Sequence, residues 1–129
     1  MTLVDTSIWI EVFRARHPLH LESILPFDDV VTCLPVIQEI LQGIGEERAY
    51  RQAQEALFAL PIVESPLEAD VFVEAADLYR TARSRGFTVR SSTDCLIAAC
   101  ALRHDLAVLH RDRDYRAIAR VSRLREHRP

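Results

Sequence analysis

Short apolar segments alternate with helical segments along this 129-residue chain. Four apolar runs have the length and flanking turn residues of buried strands: 2–4, 30–33, 61–63 and 106–109. Segments with helical spacing of apolar residues separate these runs, and no two-residue hairpin turn joins any pair of them. Strands that alternate with helices pair in parallel, because a helix makes each return crossing. The sequence therefore predicts an α/β fold in which helices cover a central, mainly parallel sheet.

The flanking residues predict further details of this fold. We expect Thr6 or Ser7 to cap the first helix, and Pro18 to open a short second helix that stops near Pro26. Residues 121–124 are expected to add an edge strand. The helix over 96–102 is apolar almost all round, which predicts a central position. Without a repeat, a low-complexity stretch or a linker, residues 1–129 are expected to form one domain.

Composition limits the class of protein. Apolar residues make up 49% and charged residues 27% of the chain, as in ordinary globular proteins. No apolar run approaches the roughly 20 residues that cross a membrane, and the first residues lack a basic and apolar leader pattern. We therefore expect a cytoplasmic protein without a membrane segment. The three cysteines include no Cys-x-x-Cys pair, so they are expected to be buried apolar residues.

Charge is distributed unevenly. Residues 111–129 hold seven arginines and only three acids, although the whole chain has a net charge of −3. A basic segment beside an acidic site suits an enzyme that acts on nucleic acid. A solvated, arginine-rich terminus accounts for the same pattern. All sixteen basic residues are arginines, so the chain has no lysine.

Carboxylates stand where strands end or helices begin. Asp5 follows the first strand, Asp112 and Asp114 follow the strand over 106–109, and Asp94 begins the central helix. The carboxyl ends of parallel strands meet at one edge of a sheet, so these side chains are expected to lie together. Glu39 lies on a helix with Gly43 one turn later, which would leave open space beside it. Taken singly, each acid is more readily explained as a helix cap, a first-turn residue or a solvated residue.

These residues also resemble a known family in their order and spacing. The resemblance is to PIN-domain ribonucleases, and most closely to the VapC toxins of bacterial toxin–antitoxin pairs. It covers essentially the whole chain and depends on four elements: Asp5-Thr6-Ser7-Ile8-Trp9-Ile10, Glu39 with Gly43, Thr93-Asp94-Cys95-Leu96-Ile97-Ala98-Ala99, and His110-Arg111-Asp112-Arg113-Asp114-Tyr115. Tyr115 stands where phenylalanine is usual, and Cys95 where a small residue is frequent.

The resemblance implies a three-layer α/β/α PIN-like domain with a magnesium-dependent endoribonuclease site. The implied catalytic residues are Asp5, Glu39, Asp94 and Asp112, and the implied metal ligands are these four and Asp114. Magnesium prefers oxygen ligands, and manganese is a possible substitute. Zinc would need histidine or thiolate ligands, which do not cluster with these acids. The division of roles among the carboxylates stays open.

Substrate and partners are the remaining expectations. Arginines near the acids are candidates for holding RNA phosphates: Arg90, Arg111, Arg113 and Arg116. The resemblance implies a cognate, VapB-like antitoxin that lies across the active site, a homodimer, and a toxin–antitoxin hetero-oligomer. Trp9, Ile10 and Phe13, with Leu19 and Leu21, could form an apolar groove for the antitoxin. The alternative is that these residues are ordinary core, which is the favoured explanation for Trp9.

Two other classes of protein remain as alternatives. Receiver domains and phosphohydrolases of the haloacid dehalogenase type also place an aspartate after the first strand. Both normally bind the phosphoryl group with a lysine, which this chain lacks. A catalytically inactive PIN-like module that binds RNA or protein is the second alternative. Such a module would be expected to have lost one or more of the acids.

Overall fold

The sheet contains five parallel strands. The computed structural model describes residues 1–129. The strands are β1 (Thr2–Val4), β2 (Val30–Cys33), β3 (Ile62–Val63), β4 (Ala107–Leu109) and β5 (Glu126–His127). The helices are α1 (Thr6–Val12), α2 (Leu34–Gln42), α3 (Glu47–Phe58), α4 (Ala69–Ser84), α5 (Ser92–Arg103) and α6 (Asp114–Arg120). The α/β prediction with a parallel central sheet is confirmed.

Strand order reverses beside β1. The strands lie in the order β3-β2-β1-β4-β5, with Thr2 opposite Val30 on one side and Val4 opposite Leu109 on the other. Right-handed crossovers place α1, α2 and α3 on one face of such a sheet and α4, α5 and α6 on the other. The contacts within each group of helices agree with this three-layer arrangement. Ligands of open parallel sheets bind at such a reversal, which here lies between the carboxyl ends of β1 and β4.

Helix α5 lies at the centre of its layer, as its apolar sequence predicts. Seven of its twelve residues are buried, and it packs against α2, α4 and α6. The three cysteines, Cys33, Cys95 and Cys100, are also buried, in agreement with the sequence analysis. No helix combines the length and apolar composition that would let it cross a membrane.

Two helix predictions near the N-terminus were wrong. Helix α1 is capped by Asp5 rather than by Thr6 or Ser7, because the Asp5 carboxylate accepts a hydrogen bond from the Ser7 backbone N–H. The expected helix between Pro18 and Pro26 is only a single 3₁₀ turn over Leu21–Ser23. In that turn the His20 carbonyl accepts hydrogen bonds from the N–H and hydroxyl of Ser23, and this satisfies the backbone locally.

The fifth strand lies later in the chain than predicted. Residues 121–124 form a turn instead, since the Val121 N–H donates to the Ile118 carbonyl at the end of α6. The Ser122 hydroxyl donates to the same carbonyl and accepts from the Leu124 N–H. Leu124 is buried, so its apolar character reflects the core rather than a strand. Strand β5 then pairs with β4 over Glu126–His127.

Candidate functional site

Asp5 lies at the point where strand order reverses. Its N–H continues the ladder by donating to the Leu109 carbonyl at 2.9 Å, and its side chain is only 2% exposed. The carboxylate Oδ2 accepts from the Ser7 N–H at 2.9 Å and from the Ser7 hydroxyl at 2.6 Å. The Ser7 hydroxyl in turn accepts from the Arg111 N–H, which ties α1 to the loop after β4. Asp5 is therefore held rigidly between the two central strands.

Asp94 projects from the first turn of α5 into the same region. It is 4% exposed, and its Oδ2 has no hydrogen-bond partner. Burial, contact with Asp112 and the negative charge of Asp5 together raise the pKa of this carboxyl to about 9, and burial is the largest of these causes. A carboxyl with this pKa is protonated at neutral pH unless a cation offsets its charge. Without a cation, ionisation of Asp94 therefore lowers the stability of the folded protein.

Asp112 lies in the loop after β4, and Asp114 begins α6. The Asp112 Oδ1 accepts from the Asp114 N–H at 2.9 Å. Asp114 is 1% exposed, and its Oδ2 accepts from the N–H groups of Arg90 and Ser91 at 3.0 and 2.9 Å. Its Oδ1 is buried without a partner. One oxygen of Asp114 therefore fixes the entry to α5, while the other is left for a ligand.

Three of these carboxylates are arranged as a cation site. Oxygen atoms of Asp94, Asp112 and Asp114 all lie within 4.8 Å of one another. Two of the three residues also carry the buried oxygens that lack partners. Buried polar atoms are rarely left unsatisfied, and mutually repelling carboxylates are stabilised by a cation between them. The donor set contains only oxygens, which fits magnesium or manganese better than zinc.

Glu39 lies at the edge of this group. It is half-buried on α2, and its Oε1 accepts from the Thr6 hydroxyl at 2.7 Å. Burial raises the pKa of Glu39, the Thr6 hydrogen bond partly opposes this, and the charges of Asp5 and Asp112 add to the increase. The expectation that Gly43 clears space beside the Glu39 carboxylate stays a prediction. A Cβ at Gly43 would meet only carbonyl oxygens of its own helix, at ordinary contact distances of 3.5 and 3.6 Å.

The four candidate arginines are surface residues within a few positions of Asp94, Asp112 or Asp114 in the chain. Arg90, Arg111, Arg113 and Arg116 are all exposed. Arg111 differs from the others because its Nε pairs with Glu11 Oε2 at 2.8 Å. Phosphate binding by Arg111 would therefore compete with an existing ion pair. The guanidinium groups of Arg113 and Arg116, at the start of α6, form no such pair.

Two buried groups next to the acids were not predicted as part of the site. The Tyr115 hydroxyl donates to Asp5 Oδ1 at 2.5 Å and lies 3.4 Å from Asp94 Oδ1. His110 is fully buried, and its Nδ1 accepts from the Asp112 N–H at 3.0 Å. Its Nε2 therefore carries the hydrogen that it donates to Glu126 Oε2 at 2.5 Å. Adjacency to the Asp112–Asp114 motif was the only sequence signal for either residue.

The apolar residues near α1 divide into core and surface. Trp9 is 7% exposed, and its indole N–H donates to the Val4 carbonyl at 3.1 Å, so it belongs to the core. Its ring stacks on Phe13, with ring centroids 5.7 Å apart. Phe13 and Ile10 are 38% and 60% exposed. Two of the residues expected in an apolar groove are therefore on the surface, next to Glu11 and its partner Arg111.

Comparison with known proteins agrees with this geometry. The family model described as "PIN domain" matches residues 2–121. The chain is 38% identical to Ribonuclease VapC11 of Mycobacterium tuberculosis and to VapC ribonuclease Mb1587 of Mycobacterium bovis, in each case over 96% of both chains. Its fold matches VapBC-5 of Mycobacterium tuberculosis with a TM-score of 0.73 at 23% identity, covering 99% of this chain and 98% of that one.

A second solved structure gives the same result for the fold. FitAcB from Neisseria gonorrhoeae matches with a TM-score of 0.72 at 22% identity, covering 98% of this chain and 96% of that one. The family match covers the strands and helices that carry every candidate carboxylate. The chain belongs to the PIN-domain family, and its relatives in that family include VapC ribonucleases.

Proposed function

We propose that this protein is a magnesium-dependent endoribonuclease that acts as the toxin of a toxin–antitoxin pair. The observation that carries the proposal is the cluster of Asp94, Asp112 and Asp114, whose buried oxygens lack partners, beside Asp5 at the strand reversal. Membership of the PIN-domain family and 38% identity to VapC ribonucleases support a nuclease. Manganese is a possible substitute, since it accepts the same oxygen ligands.

The carboxylates have separate proposed roles. Asp94, Asp112 and Asp114 hold the cation, and Asp5 and Glu39 complete the acidic surroundings. When bound, the cation supplies positive charge that polarises the scissile phosphate and makes a nearby water more acidic. Ser7 fixes the orientation of the Asp5 carboxylate through two hydrogen bonds. Rigid support of this kind keeps the charges in place during the reaction.

Glu39 is the proposed acceptor of the proton from the attacking water. Thr6 holds its Oε1, which leaves Oε2 to take the proton. The raised pKa of Glu39 makes it a stronger base than an ordinary glutamate. Asp112 is the other half-buried acid of the site and is the second candidate for this role. His110 is not a candidate, because both of its ring nitrogens are engaged in buried hydrogen bonds.

The proposed substrate contacts are phosphate contacts from the exposed arginines. Guanidinium groups bind phosphate through two parallel hydrogen bonds. The exposed candidates lie within a few positions of the acids in the chain: Arg90, Arg111, Arg113 and Arg116. Such contacts position RNA without reading its sequence. Arg113 and Arg116 are expected to contribute most, because Arg111 must first leave Glu11.

We expect substitution of Arg113 or Arg116 with glutamine to weaken RNA binding and reduce its dependence on salt. Each lost phosphate contact on single-stranded RNA should lower the slope of log K against log salt by about 0.7. The measurement is fluorescence anisotropy of a labelled RNA with the Asp94→Asn protein, which prevents cleavage during titration. Arg51→Gln on α3 is the matched control, since Arg51 pairs with Glu47. Equal slopes for all variants would exclude these two arginines as phosphate contacts.

An antitoxin is the proposed protein partner. Solved structures with the same fold include VapBC and FitAB complexes, and two of these contain DNA. Ile10 on α1 and Phe13, which directly follows α1, offer exposed apolar surface. A homodimer and a hetero-oligomer with the antitoxin are proposed as well. Phe72 and Val73 on α4, which are 50% and 61% exposed, are apolar surface available for such contacts. Residues 1–129 are proposed to act as one domain.

The experiment that tests the proposal is RNA cleavage by the purified chain, freed of any partner. Total cellular RNA is incubated with the protein in millimolar magnesium and, separately, in excess chelator. Discrete fragments that form only with magnesium are the expected result, and mapping of their ends would identify the target. A folded protein that leaves every RNA intact in magnesium and manganese would refute the proposal and favour the inactive PIN-like binding module.

A further inference from the structure

Tyr115 places a hydroxyl group between two carboxylates from different parts of the fold. The residue lies in the first turn of α6, is fully buried, and packs its ring against His110 with centroids 4.9 Å apart. Its hydroxyl donates to Asp5 Oδ1 at 2.5 Å and is 3.4 Å from Asp94 Oδ1. Asp5 follows β1, whereas Asp94 belongs to α5. The hydroxyl thus joins the strand reversal to the central helix.

The hydroxyl is the feature of Tyr115 that packing does not explain. Phenylalanine would fill the same space against His110, whereas a buried hydroxyl requires a hydrogen-bond partner. Here both available partners are carboxylates. Ser7 already holds the Asp5 Oδ2, so Tyr115 completes the orientation of that carboxylate at its other oxygen. Each carboxylate oxygen can accept more than one bond, so Asp5 keeps the capacity to bind a cation.

We propose that Tyr115 is a positioning residue for the cation site, which fixes Asp5 and bridges to Asp94 before a cation enters. When a cation enters and both side chains are ionised, the partial positive charge of the hydroxyl hydrogen offsets some of the repulsion between the two carboxylates. Because the Asp5 side chain is already ordered, cation binding has a smaller entropic cost. The inference rests on the proposed function only in assuming that the cluster binds a divalent cation.

The test compares Tyr115→Phe with the wild-type protein in direct metal binding. Manganese affinity is measured by electron paramagnetic resonance on metal-free protein, and magnesium affinity by calorimetry. We expect the dissociation constant for either metal to rise about tenfold, as is typical when a group that supports a ligand is removed. The magnesium concentration that gives half-maximal cleavage should rise by the same factor. The kcat at saturating magnesium should stay within about threefold of wild type.

Tyr50→Phe is the matched control, because it removes the same group from α3 and should leave metal affinity unchanged. An unchanged dissociation constant in Tyr115→Phe, with or without a lower Tm in chelator, would overturn the inference and leave Tyr115 a packing residue. So would a wild-type protein that binds neither metal. A tenfold loss of affinity without any RNA cleavage by the wild type would support the role of Tyr115 and refute the proposed function.

A second variant covers the case in which Tyr115→Phe does not fold. At about pH 10, where Asp94 of the metal-free protein is ionised, adding Asp94→Asn removes one of the two charges that the hydroxyl separates, so the double variant should recover the fold. The measurement is the Tm of the single and double variants in chelator. A double variant that is as unstable as Tyr115→Phe alone would show that the hydroxyl does not act between these carboxylates, and would contradict the inference.

Discussion

Asp94→Asn is expected to abolish metal-dependent RNA cleavage while leaving the metal-free protein folded. Asparagine has the same shape, but it removes the carboxylate whose Oδ2 lies buried without a partner in the acidic cluster. Loss of this negative charge, which would hold the cation, should reduce the stabilisation of the transition state by several kcal/mol. The rate of RNA cleavage should therefore fall by on the order of 10³-fold or more. The measurement is fragment formation from total RNA in magnesium, with antitoxin or RNA binding assayed on the same protein.

The same substitution should change how stability depends on pH. The pKa of Asp94 rises from its ordinary value of 3.8 to about 9 in the folded protein. The folded state therefore retains a proton that the unfolded state has lost, so the metal-free wild type loses stability as pH rises from about 4 to about 9. The slope from this group is at most about 1.4 kcal/mol per pH unit. Asp94→Asn should remove this slope, as followed by thermal denaturation in chelator.

Metal should stabilise the wild type but not the variant. A cation that binds only the folded state raises Tm, and the increase grows with the logarithm of the free cation concentration once this exceeds the dissociation constant. Magnesium should therefore raise the Tm of the wild type at pH 8 and leave that of Asp94→Asn nearly unchanged. Asp70→Asn is the matched control, because Asp70 is an exposed acid in the first turn of α4. If Asp70→Asn and Asp94→Asn behave alike, Asp94 acts only as a first-turn acid and the catalytic assignment is wrong.

Much of the fold follows from local sequence patterns. Short apolar runs and the absence of hairpin turns predict parallel strands, and the strands over 2–4 and 107–109 occur where expected. Carboxylates that follow the central strands can be placed at one edge, because side chains at the carboxyl ends of parallel strands share that edge. Asp5 and Asp112 are predictable for this reason. The apolar sequence of α5 likewise predicts that Asp94, in its first turn, is drawn into the interior.

Other features depend on contacts that no local pattern encodes. The turn over 121–124 forms because Ser122 binds backbone groups on both sides, which takes the segment out of the sheet. The structural role of Asp114 depends on its hydrogen bonds to the N–H groups of Arg90 and Ser91, which lie more than twenty positions earlier in the chain. Tyr115 reaches Asp5 across a separation of 110 residues. Contacts of this kind arise from the packing of elements, so a single sequence carries no direct signal for them.

Asp114→Ala is expected to destabilise the fold, whereas Asp114→Asn is not. Alanine leaves the partly buried N–H groups of Arg90 and Ser91 without their acceptor. Each unsatisfied donor costs about 1–3 kcal/mol, so we expect a total loss of about 2–4 kcal/mol. Asparagine keeps a carbonyl oxygen that can accept from both groups, and should change the free energy of unfolding by less than about 1 kcal/mol. Urea denaturation in chelator measures both values.

The pair of variants separates the structural role of Asp114 from its proposed metal role. Both should lose cleavage and the stabilisation by magnesium, because each removes the buried Oδ1 that lacks a partner. Only Asp114→Ala should also lose stability in chelator. Asp77→Ala, which removes an exposed acid from α4, controls for general loss of negative charge. Full cleavage by Asp114→Asn would show that Asp114 holds the segment before α5 and binds no cation, and would leave Asp94 and Asp112 to hold it.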